Sequence, residues 1–340
     1  MFGDSSIINK RIINTKPIDG LKYFPLFHRS SLFFLLIFIF GSNINPIYGQ
    51  TFVKEIATGT GSGADWDNAV GASGLQAAIE AGGTVYIAAG TYLPGAAITL
   101  SINTAHLIQG GFPSTATGTN LSGYNPLIYQ TIIDGASSHR IFSNTVVIDN
   151  IEFRGLVLQN GLDAEGPVFY SIVSTTNAID YKFTDLIVQN NTASFYAGIR
   201  ISNKTGTNAK IRFSNCYFSN NVARDGAAFT MENVYNNADG STPASGNLVI
   251  DGCTFDTNEA TASVGGAVNF TTSHGWMISH STFCDNFAIN SGGAIKFNIS
   301  GSNEIDNCWF SGNSATNLYG GAISASTSSA SIANSTFVNN

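Results

Sequence analysis

The sequence predicts an all-β protein, a single-stranded parallel β-helix solenoid with a short capping helix at its amino-terminal end. Three observations carry that prediction: a composition suited to strands and turns, an internal repeat, and short apolar–polar alternations within each repeat. Only 11% of the 340 residues are charged and 43% are apolar. There is enough apolar surface for a core, and β-branched residues outweigh the long side chains that favour helices. A chain of this length could hold two average domains, but a solenoid core grows lengthwise and escapes that limit.

In chain order, residues 1–49 read as an export signal. Leu32-Phe-Phe-Leu-Leu-Ile-Phe-Ile-Phe40 is a run of nine apolar residues preceded by Lys22, His28 and Arg29. Such a run fits a signal-peptide core and falls short of the roughly 18–20 residues that span a bilayer. An uncleaved membrane anchor is the competing interpretation. Tyr48-Gly49-Gln50 offers a small residue for cleavage, placed after Gly49.

Residues 50–97 are expected to form a cap and the first coils. Gly59-Thr-Gly-Ser-Gly-Ala-Asp-Trp66 is a loop, and Leu75-Gln-Ala-Ala-Ile-Glu80 is the best short helix, leading into Thr84-Val-Tyr-Ile-Ala88 and a turn at Gly90-Thr-Tyr-Leu-Pro94. A helix over the open first coil would cover an edge that otherwise invites aggregation. Residues 98–340 are assigned to the β-helix, with early coils at Ile98–Leu100, His106–Gln109, Thr131–Ile133, Val146–Phe153 and Leu156–Gln159.

The repeats are clearest over residues 213–340. Phe218, Phe255, Phe283, Phe310 and Phe337 are separated by 37, 28, 27 and 27 residues, and each is followed three positions later by Asn221, Asn258, Asn286, Asn313 or Asn340. A Gly-Ala element comes next: Asp225-Gly226-Ala-Ala, Gly265-Gly266-Ala-Val, Gly292-Gly293-Ala-Ile and Gly320-Gly321-Ala-Ile. A weaker copy runs from Val188-Gln-Asn-Asn191 to Ala197-Gly-Ile-Arg-Ile. The longest spacing contains an insertion, Asn233 to Asn247, that reads as a protruding loop.

A unit this short cannot bury its own apolar face, so it must stack on its neighbours. Coils stacked at about 4.8 Å place equivalent residues above one another. The five Phe then form an internal column, each ring contributing roughly 1.5–3 kcal/mol. The five Asn form a second column at a bend, hydrogen-bonding along the axis and tolerating a left-handed backbone. The glycines fit another bend, where positive φ or close backbone approach excludes a Cβ. Asn340 falls inside a repeat, so further sequence is expected beyond it.

Charge excludes one class of partner. Lys and Arg total 15 against 22 Asp and Glu. Removing residues 1–49 takes away five basic and two acidic groups and leaves a formal charge of −10. Nucleic-acid binding needs a basic face and is disfavoured.

The Phe-x-x-Asn element with Gly-Gly-Ala-Ile resembles the repeat of the polymorphic outer membrane proteins. The match lies in Phe255-Asp-Thr-Asn258 with Gly265-Gly-Ala-Val268, Phe283-Cys-Asp-Asn286 with Gly292-Gly-Ala-Ile295, and Phe310-Ser-Gly-Asn313 with Gly320-Gly-Ala-Ile323. The copy at Phe218 departs from it, with Asp225-Gly226 in place of Gly-Gly. Trp66-Asp-Asn-Ala, Leu75-Gln-Ala-Ala-Ile, Gly90-Thr-Tyr-Leu-Pro, Gln109-Gly-Gly-Phe-Pro113 and Thr131-Ile-Ile-Asp-Gly135 resemble the first coils of secreted right-handed β-helix proteins of pectate-lyase-like fold. These resemblances imply a right-handed coil, display at the cell surface or outer membrane, adhesion, and an export or sorting region at the carboxy-terminal end. Contact with extracellular glycan or with a host or matrix protein is expected of a monomer.

No catalytic, cofactor-binding or metal-binding set is assigned. Cys216, Cys253 and Cys308 sit two residues before a repeat Phe, with Ser281 and Ser335 as equivalents. They read as small buried residues, with a Cys216–Cys253 disulfide as the alternative, disfavoured by the geometry of adjacent parallel strands. Cys-x-x-Cys and paired His motifs are missing from the sequence. Asp251 and Asp306 share a column two coils apart, about 9.6 Å, just beyond the spacing of an inverting carboxyl pair. Asp256 and Asp285 lie on different sides of a turn. Arg200, Arg224 and Lys296 read as scattered, and His274 and His280 as exposed turn residues. Polysaccharide lyase or glycoside hydrolase activity is the alternative function.

Overall fold

The computed structural model describes residues 49–173, 179–196, 198–203, 209–232, 248–271, 273, 275–298, 303–326 and 330–340. The apolar run of the expected signal, the insertion 233–247 and His274 lie outside them.

Every strand pairing among these residues is parallel, and the strands stack into four sheets of a parallel β-helix. Sheet I has ten strands, from Gln50–Val53 to Ser331–Ala333; sheet II has nine, from Gly90–Tyr92 to Thr336–Val338. Sheet III has six, from Leu162–Glu165 to Ser314–Ala315, and sheet IV eight, from Ile98–Leu100 to Ile323–Ala325. A full coil visits the sheets in that order, as Ala209–Ser214, Tyr217–Ser219, Val222–Ala223 and Phe229–Glu232 do. The strands of sheet III are not legible in the sequence, because two-residue strands such as Val222–Ala223 are too short to show alternation. Val146 also lies outside its expected strand, which runs from Asn150 to Arg154.

Alternation decides what faces inward. In Ala209–Ser214, residues Ala209, Ile211 and Phe213 are buried while Lys210 is exposed. Phe218, Phe255, Phe283 and Phe310 are fully buried, and their rings stack at 4.7–4.9 Å with interplanar angles of 2–6°. The coil spacing imposes that separation. Phe337 continues the same column, in register with Phe310 and stacked on it at 4.7 Å and 2°.

The asparagines form a continuous hydrogen-bonded ladder from Asn191 to Asn340. Asn221 Nδ2 donates to Asn258 Oδ1 at 2.9 Å and to the Val188 carbonyl at 2.9 Å. The same pattern carries Asn258 to Asn286, Asn286 to Asn313 and Asn313 to Asn340 at 2.7–3.0 Å. Each backbone N–H on this column also donates to the next Oδ1, as Asn258 N does to Asn286 at 3.0 Å. Buried carboxamides thus have both donors and the acceptor satisfied, which burial requires. The left-handed backbone falls elsewhere than expected. It is taken by the preceding residue, Asn220, Thr257, Asp285, Gly312 or Asn339, with φ between 51° and 66°.

The two glycines of each pair are required for different reasons. Gly265, Gly292 and Gly320 have φ of 66–69°. Gly266, Gly293 and Gly321 sit where the next coil approaches; a Cβ on Gly266 would lie 1.9 Å from the Gly293 carbonyl oxygen. The first copy aligns one residue differently from its sequence. Phe229 pairs with Val268, so Gly226, at φ 53°, matches Gly265, and Ala227 takes the place of Gly266.

Helix α1 (Leu75–Glu80) buries Leu75, Ala78 and Ile79 against the first coils. A second, smaller core was not foreseen. Phe52, Trp66, Tyr86 and Phe112 pack together with Leu121 and Tyr124 beneath two loops.

Truncating Asn286 to Ala removes two donors and leaves the Asn258 N–H and one of its two Nδ2 protons facing no acceptor, the other still bonded to the Phe218 carbonyl. Chemical denaturation should show a loss of about 2–4 kcal/mol. The exposed Asn317→Ala control should stay within about 0.5 kcal/mol of the parent.

Candidate binding cleft

The long segment between Phe112 and Thr131 folds back over the start of sheet II and is pinned at several points. Gly118 N donates to Asp67 Oδ2 at 2.9 Å, Trp66 Nε1 to the Asn120 carbonyl at 3.0 Å, and Lys54 Nζ to the Ala116 carbonyl at 2.9 Å. Tyr124 packs on Phe112, 5.7 Å between centroids, and its ring lies over Gly111 and Gly155. A Cβ at either glycine would come within 3.0 Å of that ring. The loop is therefore held as a fixed wall.

Between this wall and sheet II lies a cleft of about 630 Å³. Val157, Ile187 and Tyr217 form its floor, in register on successive coils. They face outward because their neighbours Leu158, Val188 and Phe218 face the core. Tyr124, Pro126 and Leu127 form the wall, with Leu127 82% exposed. Asp185 and Asn215 close one side at left-handed turn positions, φ 53° and 54°. Tyr124 OH donates to Asp185 Oδ2 at 2.8 Å, and Asn215 Nδ2 reaches Oδ1 at 3.4 Å. Burial first, and the Asp185 bond second, push the Tyr124 phenol well above its ordinary range, so it stays a donor.

Beyond the cleft the outward column continues as Thr254, Thr282 and Trp309. Tyr217 is 37% and Trp309 46% exposed. None of this was found in the sequence. The available signal was the length of the segment after Phe112 with its apolar Pro126-Leu-Ile128, since long ordered loops are uncommon and often functional.

Other polar groupings are internally neutralised. A smaller hollow of about 210 Å³ on sheet I holds Glu152, Asp180 and Lys182. There Glu152 pairs with Arg154 at 2.5 Å and Asp180 with Arg212 at 2.7 Å. Arg200 and Arg224 are not scattered, as expected from sequence; coiling brings them beside Arg140 around Tyr170, Tyr196 and Phe195. Arg200 is paired with Glu165 and with Glu232, Arg140 with Asp163 at 2.9 Å, and Arg224 with Asp225 at 3.0 Å. Coil period brings these residues together, and spacing along the chain hides it. Lys296 stays apart, donating to Ser324 at 3.1 Å.

Asp251, Asp256 and Asp306 each accept a hydrogen bond from a local donor. Asp251 and Asp306 flank Ser279 on one column. Asp251 accepts from His280 Nδ1 at 2.9 Å and Ser279 Oγ at 2.8 Å, which hold its carboxyl below the usual range, and Asp306 accepts from Asn334 at 2.8 Å. A general acid needs the opposite shift. Asp256 accepts from Tyr217 at 2.9 Å, and Asp285 is a turn residue on the next coil. Among the described residues no group of three or more His, Cys, Asp and Glu could hold a metal.

All four cysteines are free. Cys216, Cys253 and Cys308 are buried in the column containing Ser281 and Ser335. Cys216 N reaches Cys253 Sγ at 3.4 Å, and Cys253 N donates to Ser281 Oγ at 3.1 Å. Burial pushes the Cys308 thiol up to about 11 and raises that of Cys216 as well.

Comparison with known proteins finds no matching family model, curated protein or solved structure.

Native protein at about pH 8 should expose a single thiol, Cys284, to a soluble disulfide reagent, and four after unfolding. Fewer than four in unfolded, unreduced protein would reveal a disulfide.

Proposed function

We propose that this chain is an exported, non-catalytic scaffold displayed at the cell surface, which contacts extracellular glycan or a host or matrix protein. The observation that carries this role is how its polar side chains are used. The recurring Asn are consumed by the buried ladder, and Asp251, Asp256 and Asp306 are each held by local partners. The cleft lining contains one carboxylate, Asp185, where glycoside hydrolysis calls for two. What remains is a rigid stack carrying a preformed concave surface, a property of binding sites. The resemblance of the Phe-x-x-Asn and Gly-Gly-Ala-Ile repeats to polymorphic outer membrane proteins supports the surface location. The apolar run at Leu32–Phe40 supports export.

Two measurements test this role together. Fractionation and amino-terminal sequencing should find the protein at the surface, beginning within a few residues of Gln50. The purified chain should bind at least one member of an array of glycans, matrix proteins and host cells. Incubation with neutral and uronate-containing polysaccharides should release no reducing or unsaturated ends. Release would establish catalysis, and cytoplasmic retention or a silent array would remove the adhesive role.

A further inference from the structure

We infer that the cleft beneath the loop from Pro113 to Gln130 is a binding site for a neutral oligosaccharide, with the outward face of sheet II extending it towards Trp309. This assignment rests on the proposed role as a non-catalytic binding scaffold and gives that role a place and a ligand class.

Shape and chemistry argue for it independently. The cleft, about 630 Å³, falls within the roughly 300–1,000 Å³ of small-molecule sites. Its wall is fixed before any ligand arrives, since Tyr124 is packed on Phe112 and bonded to Asp185. Binding would therefore cost little ordering of the protein. A sugar ring presents an apolar C–H face and an edge of hydroxyl groups. The floor and wall offer apolar contact through Ile187, Tyr217 and Leu127, while Asp185 and Asn215 offer acceptors and a donor on one side. Each Asp185 oxygen receives one protein hydrogen bond and keeps a lone pair for a ligand hydroxyl.

Charge selects among sugars. Asp185 is the only charged residue in the lining, and no Lys or Arg stands there to meet a carboxylate or sulfate. Uronates and sulfated chains would bring like charge against Asp185 in an apolar setting, which costs affinity. A purely apolar partner would strip water from the same carboxylate without supplying donors. Neutral hydroxylated ligands avoid both penalties.

The strip beyond the cleft suits a chain longer than the cleft itself. Tyr217 and Trp309 are three rungs apart on one column, about 14 Å at the usual strand spacing. Thr254 and Thr282 lie between them. Trp66 and Trp276 are fully buried, so Trp309 is the exposed member of the three tryptophans and a natural reporter.

The test uses the full chain and a panel of soluble neutral gluco-, manno-, galacto- and xylo-oligosaccharides, with uronate and amino-sugar oligomers as charged counterparts. Affinities are read by calorimetry and by Trp309 fluorescence. At least one neutral series should bind, with longer members changing the fluorescence and short ones leaving it unchanged. Tyr217→Ala and Leu127→Asp should each weaken binding by about tenfold or more at an unchanged unfolding midpoint, while Leu318→Asp, on a distant exposed turn, should not. Asp185→Asn removes the charge while keeping one acceptor for Tyr124, and should narrow the affinity ratio of neutral over uronate oligomers by about threefold or more. Equal binding by the cleft variants, preference for charged oligomers, or no neutral ligand would overturn the assignment. The scaffold role fails separately, if the same oligosaccharides are cleaved.

Discussion

Register between coils is the constraint on which everything else in this molecule depends. One ladder enforces it most strongly. Asn191, Asn221, Asn258, Asn286 and Asn313 each hand a carboxamide proton to the next asparagine, the last of them to Asn340. A slip of one residue would carry each buried carboxamide away from its acceptor on the next coil and orphan several hydrogen bonds at once. The Phe stack alone would tolerate more error, because apolar contact is not directional. The close approach at Gly266 and Gly293 tolerates less, since backbone atoms already touch there. Aromatic burial thus supplies much of the favourable free energy, while the asparagines and glycines decide which stacking is used.

That division of labour explains what was legible in the sequence. The columns of Phe, Asn and Gly recur at a nearly fixed period because the same steric and hydrogen-bonding problem recurs at every coil. The strand edges were less legible where a strand has two residues, and the left-handed position was misplaced by one because several residue types satisfy it. Asn220, Thr257, Asp285 and Gly312 share a backbone conformation without sharing a side chain. Ala227, standing in the Gly266 position, shows the same limit, since pattern matching chose the nearest glycine and pairing chose the neighbouring residue.

The cleft was illegible for a different reason. Its residues come from a loop, two turns and one face of a sheet, separated by up to three coils, and none belongs to the repeated set. Coiling converts distant chain positions into neighbours; it assembled the Arg140, Arg200 and Arg224 cluster in the same way. In the cluster the charges neutralise one another, and in the cleft one carboxylate and several apolar faces remain available. A solenoid whose repeated positions are spent on architecture can carry recognition only where the repeat is interrupted, and the loop after Phe112 is such a place.

Side-chain hydrogen exchange tests the register most directly. In nitrogen-labelled protein moved into deuterium oxide, the carboxamide protons of Asn221, Asn258, Asn286 and Asn313 should persist long after those of exposed Asn317 and Asn334 have gone. Exchange of all these carboxamides at one fast rate would contradict an in-register buried ladder, and with it the stacked arrangement of the coils.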